Sequence, residues 1–174
     1  MQNKSSTRKN RTTDDESTAY HEAGHAVVSY RFNNCSGDLT ITPKKGALGS
    51  LLDESDGASE TEFIHEIIIL YSGFAAECRH DEHADKRGSA QDDEKASTLL
   101  QCVNESECNL RLKAKELIDK NWPIIEAIAE KLITHKTLSC DEWQIIIDSF
   151  DEGESTKWEE NFINMRNLIK ERRQ

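Results

Sequence analysis

Between residues 60 and 80 the chain carries Phe63, Ile64, Ile67, Ile68, Leu70, Tyr71, Phe74 and Ala75, enough apolar side chains to cover most of a helix surface. A helix greasy on nearly every side has to lie inside a domain, with other elements packed around it. The flanking sequence offers those partners as amphipathic helices. One spans residues 18–30; another begins at Gly88 and continues through Leu99, Leu100 and Val103. A third carries Leu110, Leu112, Leu117 and Ile118 and ends near Asn121. Pro123 opens a fourth, where a first helical turn tolerates it, and Ser139 caps a fifth over residues 141–150. Trp158, Phe162, Met165, Leu168 and Ile169 mark a last one, expected to pack back on the domain, the commoner outcome, or else to serve a partner. Strand patterning is confined to Leu39-Thr40-Ile41-Thr42 and a second short run over residues 47–52, separated by Pro43 and Gly46. The expected fold is therefore mainly α, with a small β element. Residues 1–16 read as a disordered polar tail, 17–150 as one domain, and 151–174 as a linker and C-terminal amphipathic helix.

Charge narrows the function classes. The formal net charge is −11, which disfavours nucleic acid and anionic membrane surfaces as partners. The longest near-continuous apolar run, Ile67-Ile68-Ile69-Leu70-Tyr71, is far too short to span a bilayer. Cys35, Cys78, Cys102, Cys108 and Cys140 are odd in number and contain no CxxC pair, which argues for reduced thiols and a cytoplasmic setting rather than a disulfide framework. There is no internal repeat and no phosphate-binding GxxxxGK[ST] loop.

Chemistry concentrates in the first helix, at His21-Glu22-Ala23-Gly24-His25. Residues four apart on a helix share a face, so His21 and His25 can direct two imidazoles at one zinc ion, with Glu22 beside them as a general base toward water. The plainer reading is an amphipathic helix that happens to carry two histidines. A catalytic zinc needs a third protein ligand. By residue type the candidates are His65, Glu77, His80, His83, Asp85, Asp92, Asp93 and Glu94. His65 sits in the apolar helix and reads as a packing residue, while His80, His83 and Asp85 read as a solvated connection. The segment from Gly88 to Glu94 is attractive because small residues precede carboxylates at a helix start. Spacing alone does not choose among Asp92, Asp93 and Glu94.

Four stretches in order resemble the peptidase domain of FtsH-type zinc metalloproteases: Ala19-Tyr20-His21-Glu22-Ala23-Gly24-His25-Ala26-Val27; Thr40-Ile41-Thr42-Pro43 with Gly46-Ala47-Leu48-Gly49; Leu70-Tyr71-Ser72-Gly73-Phe74-Ala75-Ala76-Glu77; and Gly88-Ser89-Ala90-Gln91-Asp92. A weaker match runs from Ala114 to Leu138, and the whole covers roughly residues 18–147. The resemblance implies a helical zinc-peptidase domain whose small β element lies beside the active-site helix. It implies Asp92 as third ligand, with Gln91 where the family carries Asn, and Asp93 directly following. It also implies that Gly46, Ala47, Leu48 and Gly49 line the substrate, which would lie as an added strand along an exposed edge.

The implied activity is zinc-dependent, ATP-independent endopeptidase action on unfolded or flexible polypeptides. Zn2+ on His21, His25 and Asp92 would lower the pKa of water toward about 7, and Glu22 would move its proton to the leaving amine. Tyr20 and Glu77 read either as supports behind the ligands or as purely structural, the second being the safer reading. The family joins this domain to membrane helices and an ATPase; this chain reads as a stand-alone version, for which a separate ATPase or a homo-oligomer is a candidate partner. The alternative is a catalytically silent zinc-binding domain of the same fold, serving regulation or partner binding.

Overall fold

The computed structural model describes residues 6–34, 37–42, 58–84 and 89–172. In chain order these form α1 (Ser6–Arg31), β1 (Leu39–Thr40), α2 (Glu60–His80), α3 (Ala90–Leu99) with a 3₁₀ turn (Leu100–Cys102), α4 (Glu107–Lys120), α5 (Trp122–His135), β2 (Thr137–Leu138), α6 (Cys140–Asp151) and α7 (Trp158–Arg172). The protein is mainly helical, as its periodicity predicts. No helix among the described residues is long and apolar enough to cross a membrane.

The apolar helix takes the central place. α2 starts at a capping box in which the Ser59 hydroxyl accepts from the Glu62 N–H and the Glu62 carboxylate accepts from the Ser59 N–H. It then buries Phe63, Ile67, Ile68, Ile69, Leu70 and Tyr71 against α1, α3 and α4. Each such side chain contributes about 1.5–3 kcal/mol by leaving water. α1 lies between α2 and α5. Its Ala19, Ala23, Ala26, Val27 and Val28 are buried, so small residues predominate where α1 meets its neighbours.

Gly24 shows how tight the α1–α2 crossing is. A β-carbon there would lie 2.8 Å from the Ala76 β-carbon and 2.8 Å from the Ser72 carbonyl oxygen, inside van der Waals contact with backbone. Gly24→Ala is expected to destabilise the protein by roughly 1–3 kcal/mol through overpacking, despite alanine's better helix propensity. Denaturant unfolding measures this; an unchanged midpoint would show that the helices can separate at little cost.

Three details depart from the sequence reading. First, α1 begins at Ser6, well before residue 18 and inside the stretch read as a tail. Its polar turns are tied to the core from Asp15 onward: Lys136 Nζ donates to Asp15 at 3.1 Å, His80 Nε2 lies 3.4 Å from Glu16, and Ser17 Oγ donates to Glu77 at 2.7 Å. Second, β1 pairs antiparallel with β2, Leu39 opposite Leu138 and Thr40 opposite Thr137. Lys136, at φ 66°, caps α5 in the left-handed conformation and turns the chain into that strand. The expected strand over residues 47–52 lies outside the described residues. Third, Leu112 is 54% exposed; the inner stripe of α4 is Leu110, Ala114 and Ile118, spaced by one turn, and Leu112 falls about 200° from Leu110.

α7 packs on α6 with Phe162 buried. Arg166 pairs with Glu142 at 2.9 Å and Asn161 donates to Ser149 Oγ at 2.9 Å, so the C-terminal helix joins the domain as expected.

Candidate metal centre

The α1–α2 crossing and the first turn of α3 bring three ligand-type side chains to one point. His21, His25 and Asp92 each offer an atom within 4.8 Å of the others, the one such group among the described residues. His21 Nε2 lies 2.8 Å from His25 Nε2 and 3.0 Å from Asp92 Oδ2, and His25 Nε2 lies 3.3 Å from the same oxygen. A zinc ion with bonds near 2.0 Å would space tetrahedral ligands about 3.3 Å apart, so the triangle needs only slight widening.

The outer nitrogens decide what the inner ones do. His25 Nδ1–H donates to the Ile69 carbonyl at 2.7 Å, and that oxygen also accepts from Ser72 Oγ at 2.6 Å. His21 Nδ1–H donates to Glu77, whose second oxygen accepts from Ser17 Oγ at 2.7 Å. With both Nδ1 atoms committed as donors, the neutral imidazoles turn two Nε2 lone pairs toward each other and toward a carboxylate. Three lone-pair donors converging in a largely buried pocket repel unless a cation sits among them. That donor chemistry fits a metal ion, and the carboxylate behind His21 is the arrangement that orients a metal-binding imidazole.

Proton affinities show the same demand for positive charge. Burial opposes ionising His21, but hydrogen bonds to Asp92 and Glu77 outweigh it and push the imidazole up to about 10. Burial likewise works against the Asp92 carboxylate, yet His21 and His25 hold its pKa well below the ordinary range. A proton on His21 is the cation the protein alone can place there.

Gly73 makes the arrangement possible. A β-carbon on it would lie 2.6 Å from His25 Nε2 and 2.7 Å from His21 Nε2, so the α2 backbone runs directly against the ligand atoms. An isolated glycine in an otherwise apolar helix is the signal that points to such a close approach. Ser17 carries no sequence signal that places it at the centre, and Glu77, a ligand candidate by residue type, enters it instead as the carboxylate that orients His21. Their roles depend on α2 crossing α1, which sequence spacing does not disclose.

The other candidates fall elsewhere. Glu77 sits behind His21 rather than beside Nε2. His65 stacks on Phe32 with centroids 4.0 Å apart, and His80 stacks on Tyr20 at 3.7 Å. His83 and Glu94 are exposed. Asp93 pairs with Arg111 at 2.8 Å. Asp85 and Gly46, Ala47, Leu48 and Gly49 lie outside the described residues. Glu22 is half-buried on α1 and forms no hydrogen bond or ion pair among the described residues. No protein-family model and no curated protein matches the chain.

Proposed function

We propose that the protein is a zinc-dependent endopeptidase acting on unfolded or flexible polypeptides, with an active site similar to that of the FtsH-type peptidases. The observation that carries this reading is the convergence of His21 Nε2, His25 Nε2 and Asp92 Oδ2, with both imidazoles oriented from behind. Bound there, zinc supplies Lewis acidity that acidifies water and polarises a carbonyl.

The protein's own residues do the rest. Glu77 and the Ile69 carbonyl fix the two rings, so the lone pairs stay aimed at one point without reorganisation. Glu22 lies about 100° round α1 from His21 and about 60° from His25, at the flank of the ligand face. Its carboxylate accepts a proton from the attacking water and returns it to the leaving amine nitrogen. The substrate has to be extended or flexible, because a peptide bond held in folded structure cannot reach groups seated between helices.

The test is metal content together with cleavage. Purified protein is expected to bind one equivalent of zinc and to cleave a reduced, unfolded protein. Chelation should abolish cleavage, and added zinc should restore it. Zinc binding without cleavage of any of several unfolded substrates would leave a binding domain; absence of zinc binding would remove the reading altogether.

A further inference from the structure

α3 delivers Asp92, yet apolar packing anchors it away from that end. Its buried residues are Ala96 and Leu99, one and two turns beyond Asp92. Asp92 and Asp93 are adjacent and about 100° apart around the axis. Which carboxylate faces the histidines is therefore a matter of how α3 is rotated.

Arg111 on α4 grips that first turn. Its Nη2–H donates to Asp93 Oδ1 at 2.8 Å and its Nε–H donates to Glu107 Oε1 at 2.8 Å. Its guanidinium carbon lies 3.9 Å from the centroid of the Tyr71 ring on α2. Tyr71 is 3% exposed and its hydroxyl has no hydrogen-bond partner among the described residues, so packing and the cation on its face hold the ring. One planar group thus ties α2, α3 and α4 together. An exposed ion pair contributes little, but here the two side chains are 33% and 30% exposed and the guanidinium is engaged at both edge and face.

We propose that Arg111 is a positioning residue of the metal centre: by holding Asp93 it sets the rotation of α3 and keeps Asp92 aimed at His21 and His25. The inference rests on the zinc reading above. It also explains why, of two neighbouring aspartates, the second is unavailable as a ligand: its carboxylate is already committed to a cation.

The experiment is zinc affinity by chelator competition, with thermal unfolding of the zinc-free protein, for wild type, Arg111→Met, Arg111→Lys, Asp93→Ala and the Arg111→Met/Asp93→Ala double variant. Arg111→Met and Asp93→Ala should each weaken zinc roughly 10–100-fold, the range for groups that orient a ligand. The double variant should be no worse than the weaker single, because both break one contact. Arg111→Lys, which keeps the charge but not the fork, should recover part of the loss. Asp92→Ala should cost more than any of them. If Arg111→Met folds poorly, Asp93→Ala and Arg111→Lys carry the same comparison. Unchanged zinc affinity in Asp93→Ala, or losses that simply add in the double variant, would overturn the proposal while wild-type zinc binding stands. A wild type that binds no zinc would overturn the underlying reading instead.

Discussion

Glu22→Gln is expected to retain one equivalent of zinc and to lose hydrolysis of an unfolded protein by roughly 10²–10⁴-fold, the usual contribution of a positioned general base. The two halves of that expectation have separate causes. Zinc affinity depends on Nε2 and carboxylate atoms that Glu22 does not touch, since the ring orientations come from Glu77 and the Ile69 carbonyl. Glutamine is nearly the same size, so the half-buried position is not emptied. It is, however, unable to accept a proton at neutral pH. The carboxylates of Glu77 and Asp93 cannot substitute, because one is held by His21 and Ser17 and the other by Arg111. Metal analysis and a cleavage assay on the same preparation check both halves. Retained cleavage in the zinc-loaded variant would remove Glu22 from the mechanism.

Gly73→Ala is expected to abolish zinc binding at ordinary concentrations, a loss beyond the roughly 10–100-fold typical of supporting residues. The added methyl would land 2.6 Å and 2.7 Å from the two Nε2 atoms. The rings cannot swing aside, because His25 is bonded to Ile69, one turn earlier on the same helix, and His21 to Glu77, one turn later. A shift of α2 would carry those anchors with it. Helix propensity argues the other way: alanine in an ordinary helix interior favours stability by about 1 kcal/mol over glycine. The sign of the effect therefore separates the explanations. Isothermal titration with zinc, beside unfolding of the zinc-free protein, reads both. Wild-type affinity in Gly73→Ala would show that the two helices do not meet as closely as described.

Much of the architecture was readable from local chemistry. α2 runs from Glu60 to His80 as its apolar period predicts, and α6 follows its capping Ser139. Both elements announce themselves within a few residues. β2 does not, because two residues carry no alternation to read; the pairing exists because α5 ends in a left-handed turn at Lys136 that delivers Thr137 to Thr40. The N-terminal extension of α1 was missed for a related reason. Its polar residues look like a tail until Lys136, His80 and Glu77, all distant in sequence, fall beside Asp15, Glu16 and Ser17. At the metal centre, helix spacing alone pairs His21 with His25. Spacing leaves Asp92 and Asp93 open, and the family resemblance implies Asp92; their separation is a long-range property, Asp93 being turned to a guanidinium from α4.

The glycine face of α2 also gives the centre a sidedness. With backbone pressed against both Nε2 atoms, nothing can approach them across Gly73. What opening remains lies past His25 and Asp92, whose side chains are 20% and 18% exposed, whereas that of His21 is 10%. A scissile carbonyl would then meet the metal along a single bearing, between the second histidine and the start of α3. One-sided access would follow from a missing methyl group rather than from a dedicated pocket.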